Sequence, residues 1–176
     1  MKNPFIKLYI AIIYVLSSTS AYSIEAPKIK NLILYKQPKK LENIEFQNVN
    51  NKVLKLSDFE NKLLIVNFWA TWCLPCRDEM PSLDKLANID SLNNLQILPI
   101  NVGGEDISKS EAFFNEINIK YMKIYYDPDM KLPKDLLLRG LPTTLLINKN
   151  GQEFARILGS IDFQDKKFID WLKNFD

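Results

Sequence analysis

The only two cysteines of the 176-residue chain, Cys73 and Cys76, lie three positions apart in the segment Trp72-Cys73-Leu74-Pro75-Cys76. Two thiols at this spacing can form a disulfide with each other, and can exchange it with a disulfide of another molecule through a mixed disulfide. The chain has no histidine, which excludes Ser-His and Cys-His dyads and histidine-ligated zinc or haem. Any chemistry here must come from cysteine, carboxylate, lysine, tyrosine or backbone groups.

The elements around the cysteines predict different roles for the two thiols. Leu63–Trp69 is a short apolar run typical of a buried parallel strand, and residues 74–89 have the apolar pattern of a helix. Cys73 would then stand at a helix N-terminus, where free N–H groups and the helix dipole lower the pKa of a thiol. We predict that Cys73 is the nucleophile and Cys76 the resolving thiol. Pro75, in the first helical turn, stiffens the loop without the loss of a hydrogen bond.

Three other interpretations of the cysteine pair remain open. A purely structural disulfide between Cys73 and Cys76 would close a very small loop and stabilise the fold little. Half of a zinc site would need ligands that a chain without further cysteine or histidine cannot supply. Buried inert thiols are disfavoured by a position between strand and helix. Because the only two cysteines form one CxxC, the pattern favours redox chemistry.

The N-terminal 23 residues have the three-part layout of a secretory signal. Two lysines precede the apolar run Leu8–Leu16, and small or polar residues follow over 17–23. We predict cleavage after Ser23, with an uncleaved membrane anchor over residues 5–24 as the alternative. The apolar run is shorter than the ~20 residues of a spanning helix. The protein is therefore expected to be exported to the periplasm, with membrane contact only through this segment if it is retained.

Composition and charge limit the other function classes. The chain is 47% hydrophobic and 25% charged, as in globular proteins, and its net charge of +2 is too small to indicate nucleic-acid binding. Residues 1–23 hold two of the 23 basic residues and none of the 21 acidic ones, so the remainder has 21 of each and no net charge. We interpret residues 24–42, which are rich in lysine, as a leader segment, and residues 43–176 as one domain.

The order of elements along residues 43–176 predicts an α/β fold with a mixed sheet. Two short strands form a hairpin, helices then alternate with buried strands, and a second hairpin and a helix close the chain. The predicted strands cover 44–47, 53–56, 63–69, 95–102, 122–126, 143–147 and 153–158, and the predicted helices cover 74–89, 108–117, 130–138 and 163–174.

Val66–Pro81, VNFWATWCLPCRDEMP, resembles the active-site region of the thioredoxin superfamily. Within this superfamily, the segment resembles the TlpA/ResA-like group of exported thiol–disulfide oxidoreductases. Two later segments also resemble this group: Arg139–Thr144 resembles its loop with a cis-proline, and Gly159–Asp162 resembles the G-x-x-D before its last helix. The resemblance covers roughly residues 43–174.

The resemblance implies a thioredoxin-like mixed sheet flanked by helices, with an N-terminal hairpin. An extra strand–helix unit around residues 103–126 would explain the wide separation of Cys76 from Pro142. Pro142 would be cis and lie against the CxxC, leaving the backbone of Leu141 free to pair with a substrate strand. The expected substrate-binding residues are Trp72, Pro75, Leu141 and Thr143. We expect Trp72 to be an exposed apolar platform for partners.

One residue departs from the thioredoxin pattern and a second falls on a position of the ResA-like group. Asn67 stands where thioredoxins carry a buried aspartate, so that a carboxylate is missing from the strand. Glu79 falls where ResA-like proteins carry an active-site glutamate. It either tunes the cysteine pKa and relays protons, or is an acid favoured by the dipole of the first helical turns.

The function implied by the resemblance is that of an exported thiol:disulfide oxidoreductase. Its substrates would be particular protein disulfides, such as those of apocytochrome c or of a copper-site cysteine pair. No bound cofactor or metal is expected, a membrane thiol transporter would supply electrons, and the protein would be a monomer. The CxxC lacks the histidine of DsbA-like oxidants, which favours a reductant. A copper chaperone and a thiol peroxidase that use the same cysteines are the alternatives.

Overall fold

The computed structural model describes residues 25–176, so the predicted signal segment, residues 1–23, lies outside the described residues. The strands are β1 (Leu32–Lys40), β2 (Glu45–Asn48), β3 (Val53–Lys55), β4 (Leu63–Trp69), β5 (Leu95–Asn101), β6 (Tyr125–Tyr126), β7 (Thr143–Ile147) and β8 (Gln152–Leu158). The helices are α1 (Leu74–Leu86), α2 (Ile107–Glu116), α3 (Leu132–Asp135) and α4 (Lys166–Leu172), and a 3₁₀ turn covers Leu56–Phe59.

The strands form one sheet in the order β1-β8-β7-β4-β5-β6-β2-β3. The central strand β4 is parallel to β5 and antiparallel to β7, and all of its residues are buried. Successive side chains of a strand point to opposite faces, so β4 contributes to two apolar cores. Residues of α1, α2 and α4 belong to one core, and residues of α3 and of the β2–β3 hairpin belong to the other. The predicted α/β fold with a mixed sheet is confirmed.

The strand–helix unit expected around residues 103–126 is α2 followed by β6. Strand β6 lies parallel to β5, and β2 pairs antiparallel with β6, so the inserted strand joins the hairpin to the central sheet. β6 covers only Tyr125–Tyr126, although the sequence predicts a strand over 122–126. The Asp84 carboxylate on α1 accepts the backbone N–H groups of residues 120–122 at 2.8–3.0 Å. These amides are therefore turned toward α1.

Strand β1 lies within the segment that the sequence indicated to be a leader, residues 24–42. It pairs antiparallel with β8 at the edge of the sheet, so the sheet begins at Leu32 and not after residue 42. Most of its side chains are exposed, which removes the apolar alternation by which a strand is recognised. The pairing is irregular between Leu34 and Lys39, an interval that contains Pro38, and irregular edge positions tolerate proline.

Helices α1, α3 and α4 are shorter than the sequence predicts, whereas α2 has the predicted length and begins one residue earlier. Met130 and Leu137, on either side of α3, have φ values of 52°, and this left-handed conformation cannot continue a right-handed helix. Helix α4 starts later than predicted, where the Asp165 side chain accepts the N–H groups of Lys167 and Phe168. Within residues 25–176, none of the helices has the length and apolar character needed to cross a membrane.

Candidate active site

Cys73 and Cys76 form a disulfide, with Cα atoms 5.3 Å apart. Cys73 is the N-cap of α1, and the backbone N–H of Cys76 donates to its Sγ at 3.2 Å. The sulfur of Cys73 thus stands at the positive end of the helix dipole and accepts the Cys76 N–H, which also donates to the Cys73 carbonyl at 3.1 Å. After reduction of the disulfide, the same groups stabilise a thiolate at Cys73 and lower the pKa of that thiol.

The two sulfurs differ in access. Cys73 keeps 5% of its surface exposed, whereas Cys76 has none. The neighbours of Cys73 are open to solvent, since Trp72 is 65% and Leu74 is 73% exposed, and Pro75 is also exposed. A partner disulfide can therefore reach Cys73 between apolar side chains, while Cys76 lies beneath it. The predicted exposure of Trp72 is what the structure shows.

The proline loop lies beside the carboxyl end of β4, from which the chain continues to Cys73. The Leu141–Pro142 peptide bond is cis, and the next residue, Thr143, pairs with Phe68 of β4. The backbone of Leu141 makes no hydrogen bond to any residue among 25–176, so it is free to pair with an added strand. The hydroxyl of Thr143 donates to the Gly140 carbonyl at 2.8 Å, so this side chain is engaged within its own loop.

Glu79 carries a buried carboxyl group on the helix that begins after Cys73. It lies three residues after Cys76 on α1, which places both on one helix face, and its exposure is only 2%. Asn67 Nδ2 donates to Oε1 at 2.7 Å, and the Ile161 N–H donates to Oε2 at 3.3 Å. Burial raises the pKa of Glu79 to about 8, although both hydrogen bonds act to lower it. Both the charged and the neutral carboxyl group are therefore accessible near neutral pH.

Asn67 orients this carboxyl group and links three elements. Its Nδ2 also donates to the hydroxyl of Thr144 at 2.9 Å, so β4, α1 and β7 meet at one buried amide. The strand residue Asn67, at the position expected to correspond to the thioredoxin aspartate, is thus a hydrogen-bond donor to the carboxyl group of Glu79 on the helix. Sequence reasoning missed Thr144, although it stands in the Pro142-Thr143-Thr144 segment from which only the neighbouring threonine was selected.

Arg77, the charged residue nearest to the cysteines in sequence, forms an ion pair with a residue of α2. Both terminal nitrogens of Arg77 donate to the Glu116 carboxylate, at 2.8 and 3.0 Å, and the guanidinium lies over the Phe113 ring on α2. Among residues 25–176, no group of three or more cysteine, aspartate or glutamate side chains is arranged to hold a metal ion. The site therefore combines a disulfide at a helix N-terminus with a buried carboxyl group on the same helix.

Comparison with known proteins places this arrangement in a family. Residues 38–152 match the sequence profile of the AhpC/TSA family, a match that covers more than half of the chain. The chain belongs to the AhpC/TSA family. One similar protein is the thiol-disulfide oxidoreductase ResA of Geobacillus kaustophilus, which is 35% identical over 111 residues, or 63% of each chain. The present chain thus aligns with less than two thirds of the length of this relative.

Two solved structures resemble this AhpC/TSA chain over nearly the whole of their own length. A DsbF homologue from Corynebacterium diphtheriae superposes with a TM-score of 0.66 at 25% identity, covering 85% of this chain and 96% of its own. A secreted thiol-disulfide isomerase from Corynebacterium glutamicum gives a TM-score of 0.65 at 25% identity, covering 80% and 90%. The expected membership in the thioredoxin superfamily, close to its ResA-like group, is confirmed.

Proposed function

We propose that this protein is an exported thiol–disulfide oxidoreductase that reduces disulfides in protein partners. One observation carries the proposal: the sulfur at the helix N-terminus, Cys73, is the only one with an exposed surface, and the buried Cys76 lies between it and the buried carboxyl group of Glu79 along α1. A nucleophile, a resolving thiol and a proton acceptor are thereby supplied by two turns of one helix.

The reaction proceeds in two exchanges. The Cys73 thiolate attacks a partner disulfide, forms a bond to one partner sulfur and releases the other as a thiolate. Cys76 then loses its proton, attacks Cys73 Sγ and releases the second partner sulfur, so that two electrons pass to the partner and the cystine remains. Because Cys76 is fully buried, a protein group has to take its proton. Glu79, whose pKa is about 8, is matched to a thiol for this transfer.

The surface around Cys73 supports a protein as the substrate. Trp72 and Leu74 offer apolar contact on the two sides of the sulfur, and the unpaired backbone of Leu141 can add an extended segment of the partner. The resemblance to the TlpA/ResA-like group supports apocytochrome c or a copper-site cysteine pair. The oxidised protein then needs two electrons, for which we propose a membrane thiol transporter.

The proposal also covers the location of the protein, its oligomeric state and the direction of electron transfer. Export is supported by the signal-like layout of residues 1–23 and by the solved relative that is described as secreted. We propose a monomer, because one chain contributes every group of the site. The dipeptide Leu74-Pro75 between the cysteines contains no histidine. This supports a reductant with a reduction potential of about −270 mV rather than an oxidant with one of about −120 mV.

Trapping of the mixed disulfide tests the proposal. The variant Cys76→Ser, expressed in the native host, is expected to accumulate partners bound through Cys73, and Cys73→Ser is the matched control that traps none. Absence of trapped partners, together with stoichiometric binding of Cu(I) by the unaltered protein, would show a copper chaperone instead. Rapid oxidation of Cys73 by peroxide without reaction with protein disulfides would show a thiol peroxidase.

A further inference from the structure

The loop between β5 and α2, residues 102–106, holds the chain just before Cys73. The Thr71 backbone N–H donates to both carboxylate oxygens of Glu105, at 3.1 and 3.3 Å, and the Thr71 hydroxyl donates to Oε1. The two residues are 34 positions apart in the sequence. Both hydrogen-bond donors of Thr71, the residue next to Trp72, are therefore received by one carboxylate from the inserted strand–helix unit.

This carboxylate is itself oriented from the other side. Asn101, at the end of β5, donates from Nδ2 to Glu105 Oε2 at 2.7 Å and to the Ser110 hydroxyl at 2.9 Å. Its Oδ1 accepts the Gly103 N–H at 2.7 Å. Asn101 and Ser110 are both buried, so their positions are set by packing. Glu105 is thus held between a rigid amide and Thr71.

Gly103 permits this close approach of the two segments. A Cβ atom at position 103 would lie 2.6 Å from Glu105 Oε2 and 2.8 Å from the Cβ of Ala70. Both distances are below van der Waals contact, so any side chain here would displace the carboxylate or separate the loop from Ala70. The absence of a side chain at this position is a requirement of the Glu105–Thr71 contact.

The contact matters because Trp72 directly follows Thr71 and its side chain is largely exposed. Cys73 is fixed by its place at the start of α1, and its N–H donates to the Ala70 carbonyl at 3.2 Å. Trp72 is 65% exposed and precedes the helix, so its direction depends on the backbone of Thr71. A platform that meets a partner needs a defined direction, since ordering it at the moment of binding costs free energy.

We propose that Glu105 is a positioning residue for disulfide exchange with proteins: held by Asn101, its carboxylate fixes Thr71 and thereby the placement of Trp72 against the partner. The inference rests on the proposed function and deepens it. It assigns to the inserted loop the docking of a protein substrate, whereas the chemistry at Cys73 stays with α1.

Steady-state kinetics of Glu105→Ala and Glu105→Gln test the role, with Glu111→Ala on the exposed surface of α2 as the matched control. Because a small misplacement of a docking group weakens binding, we expect KM for a protein disulfide to rise about 10-fold, with kcat changed less than about twofold. The rate with the small disulfide DTNB should stay near that of the wild type. Hydrogen exchange at the Thr71 amide should accelerate.

Several results would overturn the role of Glu105. These are a KM for the protein disulfide equal to that of Glu111→Ala, or an equal loss of rate with the protein disulfide and with DTNB, which would indicate general damage. If Glu105→Ala does not fold, Glu105→Gln, which keeps the side-chain size, and Thr71→Val decide by the same two substrates. A wild-type protein that reduces no disulfide overturns the proposed function and this inference together.

Discussion

Replacement of Glu79 with glutamine removes a buried carboxyl group while it keeps the size of the side chain. Burial raises the pKa of this group from the ordinary 4.5 to about 8 in the folded protein. The unfolded chain exposes the carboxyl group to water, where its pKa returns to the ordinary value. Between these two values the folded protein binds a proton that the unfolded chain has lost.

The sign and size of the effect follow from this difference in bound protons. A state that holds more protons is disfavoured as pH rises, so wild-type stability falls through the window from 4.5 to about 8. Each pH unit within the window is worth about 1.4 kcal/mol. From about pH 5 to about pH 8, the wild type should therefore lose roughly 4 kcal/mol of unfolding free energy that Glu79→Gln does not lose.

The assay is urea unfolding of the oxidised protein, followed by tryptophan fluorescence across this pH range. The chain has no histidine, so no imidazole contributes to the pH dependence in this range. Burial also raises the pKa of Asp127, but that contribution is common to the wild type and the variant and cancels between them. Glu111→Gln, on the exposed surface of α2, is the control and should keep the wild-type slope.

Parallel pH profiles for the wild type and Glu79→Gln would refute the reasoning. They would mean that Glu79 is charged throughout the range, and its role as proton acceptor for Cys76 would lose its support. A variant that is less stable near pH 5 but has a flatter profile agrees with the reasoning. The glutamine side chain would place its NH₂ group against the Asn67 NH₂ group or the Ile161 N–H, so that two donors face each other. The resulting loss of stability does not depend on pH.

Three further substitutions have expected outcomes. Asp84→Ala removes the acceptor of three backbone N–H groups and should cost about 2–4 kcal/mol in urea unfolding; a smaller loss would show that water replaces the carboxylate. Trp72→Ala, at an exposed position, should change stability by less than about 0.5 kcal/mol yet raise KM for a protein disulfide. Gly103→Ala should destabilise by about 1–3 kcal/mol and reproduce the kinetics of Glu105→Ala; wild-type kinetics would contradict the close approach at Ala70.

Whether a strand could be predicted from the sequence depended on how far its side chains are buried. The strand over Leu63–Trp69 was predicted with the bounds that the structure shows, because every position is buried and all but Asn67 are apolar. Strand β1 was not predicted, because an exposed edge strand has no apolar alternation. Strand β6 was predicted to begin too early, at Met122, because the Met122 amide donates to the Asp84 carboxylate, 38 positions earlier in the sequence.

The residues of the site also differ in whether the sequence could predict them. The cysteine pair and the exposed Trp72 follow from local sequence, and the proline loop follows from a resemblance to a known motif. Thr144, Ile161 and Glu105 were missed, because each is selected by a contact that spans 34 to 82 positions of the chain. No local pattern distinguishes such residues from their neighbours.

The sequence by itself determined that chemistry here belongs to two thiols at the start of a helix, since the only cysteines share one CxxC and histidine is absent. It left two roles open for Glu79: tuning the cysteine pKa and relaying protons, or serving as an acid favoured by the dipole of the first helical turns. Only the tertiary structure shows that this carboxyl group is buried and that its pKa is raised. The packing of β4, β7 and the segment at Ile161 over α1 removes water from the carboxyl group, and the pKa of a carboxyl group depends on its access to water.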